Sequence, residues 1–170
     1  MTSVVPKMPV SPFILVAVFA DNCGGCKYFK ENHLAKLREK LKGYRYQEIF
    51  VARIGNPVPS NFHPDLNRFV RWWPTFILAT RSSFEDKSGR LEAYVFNGVQ
   101  DNGNISHVGM GKGYPFSADG VVKWISDMES SKAVPVAPLH SNGLPKSTPV
   151  KNDPYQDRNF YCEQSYIPYD

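Results

Sequence analysis

The sequence predicts an α/β domain followed by an extended C-terminal arm, and three observations lead there. An unbroken apolar run over 13–19 has the length and the branched and aromatic content of a buried strand. At Cys23 the period changes to that of an amphipathic helix. Strand-like runs return over 44–54, 76–79 and 91–99, separated by turn and helical stretches. From residue 131 onward prolines replace branched apolar residues. The expected organisation is an N-terminal lead-in over 1–12, a folded domain over 13–130 and a Pro/Tyr-rich docking tail over 131–170.

Taken in order, the elements follow from local chemistry. After the strand, Cys26, Phe29, Leu34, Leu37 and Leu41 form an apolar stripe, and Lys27, Lys30, Lys36, Arg38 and Lys40 take the outer face. Gly43 supplies the stop, so one helix of about five turns is expected. Residues 44–54 alternate enough for a second strand, and 56–60, with two prolines, read as a loop. Pro64 at a first helical position and Asp65 behind it begin a short helix to about residue 70. Residues 76–79 are a third strand, and 91–99 its hairpin partner beyond the charged turn 85–89. Gly-rich 98–113 is expected as a loop. Residues 117–128 form a last helix with Val121, Val122, Trp124, Ile125 and Met128 on its apolar side.

Charge and cysteine usage narrow the function classes. The net charge of +4 arises from 20 basic and 16 acidic residues with no block of one sign, so nucleic acid is not an expected partner. No run approaches the ~20 apolar residues of a membrane span, and no membrane insertion is expected. Three cysteines are too few for a secreted disulfide scaffold of 170 residues and suit a reactive pair plus one, in a reducing, cytoplasmic setting. Val18-Phe19-Ala20 loosely imitates a signal-peptide cleavage site. However, its apolar run follows Pro6, Pro9 and Pro12, and cleavage would delete the first strand, so no cleaved signal peptide is expected.

The chemistry is concentrated in Cys23-Gly24-Gly25-Cys26. A C-x-x-C in a strand-to-helix turn puts its first sulfur at the helix N-terminus, where unpaired N–H groups and the dipole favour thiolate. Cys23 is therefore the expected nucleophile. Cys26, one turn on, is the resolving thiol that attacks a mixed disulfide at Cys23. The pair can also be read as an idle or structural disulfide, or as metal ligands. Against metal, His33 lies about 10 Å along the helix from Cys26 at 1.5 Å per residue, too far to share an ion. An iron–sulfur centre needs ligands from another chain. No cofactor and no metal are expected. His63, His107 and His140 fall on expected loops or the tail and read as solvated. Trp72-Trp73 reads as core packing and groove lining rather than a base-stacking platform, and 109–113 lacks the spacing of a phosphate loop.

The order strand, redox turn, helix, strand, helix, X-Pro-Thr strand, hairpin strand, helix resembles the thioredoxin family over roughly residues 10–130. Ala20-Asp21-Asn22-Cys23-Gly24-Gly25-Cys26-Lys27 is similar to the family's C-G-P-C turn, and Trp73-Pro74-Thr75-Phe76 to its cis-proline segment. The resemblance implies a thioredoxin-like fold: a central mixed sheet flanked by helices, with a cis peptide before Pro74 packed against the cysteines. It also implies that Trp73, Pro74 and Thr75 bind the substrate strand. The turn departs from the family at Ala17, where a buried carboxylate is usual, at Asn22 in place of an aromatic, and at Gly25 in place of proline.

The tail carries Tyr155, Phe160, Tyr161, Tyr166, Ile167 and Tyr169, residue types that anchor interfaces, and so reads as a docking arm for a protein partner or large assembly. Cys162 is a possible extra thiol. It approaches Cys23 if the arm folds back, marks an intermolecular link, or stands solvated. The leading expectation is a thiol-disulfide oxidoreductase acting on protein thiols and disulfides. The alternative is a structural component of a large assembly, for example a minor capsid protein of a large virus, in which case the chain resides in the virion.

Overall fold

The computed structural model describes residues 11–101, 104–107, 113–131 and 162–163. Residues 1–10, 102–103, 108–112, 132–161 and 164–170, which include most of the lead-in and of the arm, lie outside the described residues. The architecture is α/β, a mixed four-stranded sheet flanked by helices. Its strands are β1 (Phe13–Ala20), β2 (Tyr46–Val51), β4 (Thr75–Thr80) and β5 (Ala93–Val95), in the order β2-β1-β4-β5. β1 runs parallel to β2, from Leu15 opposite Tyr46 to Ala20 opposite Val51, and antiparallel to β4, from Phe13 opposite Thr80 to Val18 opposite Thr75. β5 closes the far side antiparallel to β4. A two-residue strand, β3 (Trp72–Trp73), precedes β4. The central position of β1 explains its sequence: paired on both edges and covered on both faces, it needs apolar residues throughout, and every residue except Ile14 is buried.

The expected first helix is two. α1 (Gly24–Asn32) and α2 (Leu34–Lys40) meet at His33, whose φ of −135° breaks the helical repeat. The apolar stripe contains the cause: from Phe29 to Leu34 it steps by five residues, which a continuous helix would rotate off the core. The break restores phase, so Phe29, Leu34 and Leu37 are all buried. Gly43 ends the turn after α2 at φ +83°, where a residue with a Cβ would be strained.

α4 (Ala118–Ser130) starts as the sequence predicts, with the Ser117 hydroxyl accepting the Gly120 N–H at 3.0 Å. Ring contacts join the layers. Phe29 of α1 lies 4.9 Å from Phe76 of β4, Phe76 meets Phe96 edge-on at 5.6 Å, and Phe96 meets Trp124 of α4 at 5.3 Å between centroids. Each fully buried side chain of this size contributes about 1.5–3 kcal/mol of transfer free energy, so this column carries much of the attachment of α1 and α4 to the sheet.

Several expectations are corrected. Beyond Pro64 there is only a 3-10 turn, Leu66–Phe69, because the Asp65 carboxylate is engaged by Arg68 at 2.7 Å and by the Leu91 N–H at 2.8 Å. A short helix α3 (Arg81–Glu85) follows β4, capped by the Thr80 hydroxyl, where the sequence reading placed nothing regular. The strand expected over 91–99 is shortened to β5, and part of the expected Gly-rich loop is a hairpin, β6 (Gly98–Asp101) against β7 (Asn104–His107). The join between β5 and β6 is Asn97, at φ 54°, whose side chain clamps the Tyr114 backbone through bonds of 2.7 Å in each direction.

His63 is not solvated but fully buried. Its Nδ1 accepts the Asp65 N–H at 3.0 Å, so Nε2 carries the proton and donates to the carbonyls of Ser83, 3.0 Å, and Asp86, 3.1 Å. It pins the segment before the 3-10 turn to the end of α3. Among the described residues no helix is long and apolar enough to cross a membrane.

Candidate active site

β1 delivers the chain to the Cys23–Cys26 turn, and backbone bonds fix how it leaves. The Asp21 N–H reaches the Val51 carbonyl at 3.1 Å, and the Asn22 side-chain carbonyl accepts the Ile54 N–H at 2.6 Å, tying the turn to the segment behind β2. Asn22 thus has a structural use at the position where the resembled family carries an aromatic.

Cys23 is the N-cap of α1, with extended backbone at φ −121° and ψ 117°. Its sulfur accepts the Cys26 N–H at 3.1 Å, and its carbonyl receives the first helical bond from Lys27 at 3.0 Å. A helix end offers N–H groups and the positive end of the dipole to whatever caps it, and at this end the cap is a sulfur. Cys26 sits one turn inside, fully buried, with its sulfur 3.4 Å from the Ala20 N–H. No disulfide joins the two thiols. Ala17, on β1 opposite Phe76 and Glu48, is buried and offers no carboxylate to either sulfur.

The Trp73–Pro74 peptide is cis, and the Trp73 carbonyl lies 3.5 Å from the Cys23 sulfur. Thr75 donates its hydroxyl to the Trp72 carbonyl, which closes the turn around Pro74. Cys23, Cys26, Trp73, Pro74 and Thr75 therefore converge on one place. All five are also buried, with Cys23 only 3% exposed.

A short strand runs beside the cluster. Cys162–Glu163 form a strand, β8, antiparallel to β3, with Cys162 opposite Trp73 and Glu163 opposite Trp72. β8 also comes within 8 Å of α1, Cα to Cα. This part of the arm thus returns to its own domain.

The histidines stay outside the cluster. His33, at the α1–α2 break, packs against Tyr28 and Phe29, and burial holds it below the ordinary histidine range, with Lys36 adding to the effect and Asp119 opposing it. Among the described residues no group of three or more His, Cys, Asp or Glu side chains is arranged to hold a metal ion.

No protein-family model, no curated protein and no solved structure matches this chain.

Proposed function

We propose that this chain is a thiol-disulfide oxidoreductase with a thioredoxin-like fold, acting on protein disulfides through Cys23 and Cys26. The observation that carries the reading is the Cys23 sulfur, which caps a helix at 3.1 Å from the Cys26 N–H and stands 3.5 Å from the carbonyl that precedes cis-Pro74. The sheet order β2-β1-β4-β5, with the C-x-x-C turn between β1 and α1 and the X-Pro-Thr segment opening β4, supports the fold assignment.

In this mechanism the Cys23 thiolate attacks one sulfur of a substrate disulfide. A Cys23–substrate bond forms and the other substrate sulfur leaves as a thiolate. Cys26 then gives up its proton and attacks Cys23, closing the Cys23–Cys26 disulfide and releasing the second substrate thiol. Two electrons pass from the pair to the substrate. The reverse sequence oxidises a dithiol. An extended substrate is oriented by backbone pairing with the β3 edge next to cis-Pro74, which requires β8 to give up that edge.

The runner-up is a structural role in a large assembly, such as a minor capsid protein. The burial of Cys23 favours it, since a scaffold does not need an accessible thiol. A defined protein disulfide such as insulin separates the readings. Wild type turns it over with dithiothreitol, and Cys26→Ser accumulates a mixed disulfide at Cys23. An absence of both with folded protein refutes the oxidoreductase and leaves the scaffold.

A further inference from the structure

The catalytic pair accounts for two of the three cysteines, and the third is placed by backbone pairing. Cys162 lies on β8 directly opposite Trp73 of β3, and β8 also approaches α1, the helix that begins at the redox turn. Cys162 thus stands one inter-strand spacing, about 4.8 Å, from a backbone segment beside the active cysteine. The carbonyl of that segment is itself 3.5 Å from the Cys23 sulfur.

We propose that Cys162 is a third exchange-active thiol, and that β8 is an internal substrate strand held where an extended protein substrate would pair. This rests on the oxidoreductase reading of Cys23 and Cys26. When the pair is oxidised, the Cys162 thiolate attacks the Cys23 sulfur. The Cys23–Cys162 bond forms, the Cys23–Cys26 bond breaks, and Cys26 leaves as a thiolate that takes up the proton Cys162 released. The exchange is redox-neutral, and the oxidant that first closes Cys23–Cys26 is the substrate disulfide itself. The consequence is a masked state in which the nucleophile is covalently held by the chain's own arm, and an external dithiol restores it by attack on Cys162.

The position of Cys162 within β8 makes the proposal specific. Successive strand residues alternate between faces, so moving the thiol by one residue puts it on the other face of β8. A tethered thiol acts at an effective concentration of order mM, so the internal link should compete with roughly 1 mM glutathione, well above what an untethered thiol at µM protein could match.

The test is mapping of non-reduced peptides by mass spectrometry on the full chain after equilibration in glutathione buffers. In Cys26→Ser, which lacks the resolving thiol, the expected product is a Cys23–Cys162 linked peptide whose yield does not change on dilution of the protein. Adding Cys162→Ser and Glu163→Cys to Cys26→Ser moves the thiol by one residue at the same thiol count, and should lose the link. In wild type, Cys162→Ser should raise the rate of insulin reduction. Glutathione on Cys23 with Cys162 unlinked in Cys26→Ser overturns the proposal. So does a link that survives equally at position 163. If wild type turns over insulin and no link forms, the inference fails and the oxidoreductase stands. If the link forms in a protein without turnover, the geometry is supported and the oxidoreductase reading fails.

Discussion

Cys23 has two separable jobs, and substitution distinguishes them. Its sulfur is the nucleophile of the proposed chemistry and also the cap of α1, accepting the Cys26 N–H at 3.1 Å. Cys23→Ser removes the first job and keeps the second, because serine is among the best N-cap residues and its oxygen accepts the same N–H. Cys23→Ala removes both. Losing an N-cap acceptor costs about 1 kcal/mol. The orphaned Cys26 N–H lies beside fully buried side chains, which places the cost toward the upper part of the usual range. For a chain of this size each ~1 kcal/mol lowers the melting temperature by roughly 2–4 °C, so a cost of about 2 kcal/mol, the top of that range, corresponds to roughly 4–8 °C. Thermal unfolding under reducing conditions should therefore rank Cys23→Ser above Cys23→Ala by that interval, while insulin reduction is abolished in both. Equal melting temperatures would refute the capping argument. Retained turnover in Cys23→Ser would refute the assignment of the nucleophile.

Other consequences follow from the packing. An ideal Cβ at Gly120 stands 1.9 Å from the Pro115 carbonyl oxygen, a backbone atom that cannot swing away, so Gly120→Ala should cost about 3 kcal/mol or more, measured by urea unfolding. His63→Ala leaves the Ser83 and Asp86 carbonyls without their shared donor and opens a cavity, so a loss of about 2–4 kcal/mol is expected, with insulin reduction unchanged below the melting transition. Burial pushes the Asp65 carboxyl up, but hydrogen bonds from Arg68 and the Leu91 N–H, with the charges of Arg68 and Arg90, outweigh it and hold the group below the ordinary carboxylate range. A depressed folded-state value gives stability that is present above the unfolded value, about 3.9, and is lost as pH falls through the folded one. Asp65→Asn should therefore be less stable at neutral pH and show a flatter decline in acid, read by melting temperature between pH 7 and pH 3.

The parts legible in the sequence were those set by local patterns. The run over 13–19 announced a buried strand because burial on both faces leaves no place for polar residues, and the apolar spacing over 117–128 announced α4, whose first residue in that reading, Ser117, is its cap. Cys23 and Cys26 were legible for the same reason, as a spacing with chemistry attached. The α1–α2 break was also present, as the five-residue step from Phe29 to Leu34, but it is visible only when the stripe is counted residue by residue. Asn102-Gly103, between the paired Asp101 and Asn104, is the dipeptide of a two-residue hairpin loop and could have located the β6–β7 hairpin, which glycine content alone disguised as a loop. Two features had no local signal. The burial of His63 depends on two carbonyls about twenty residues away in sequence, and the pairing of β8 with β3 spans some ninety residues. Such contacts depend on the assembled fold rather than on neighbouring residues.

The central claim is that the Cys23–Cys26 pair is redox-active, and a redox titration tests it most directly. Thiol alkylation of the full chain is followed across defined glutathione or dithiothreitol ratios, with the Cys23–Cys26 linkage identified by peptide mapping at each point. The account predicts a reversible two-electron transition between about −120 and −300 mV, accompanied by turnover of a protein disulfide. A pair that neither closes nor turns over across that range in the folded protein contradicts it.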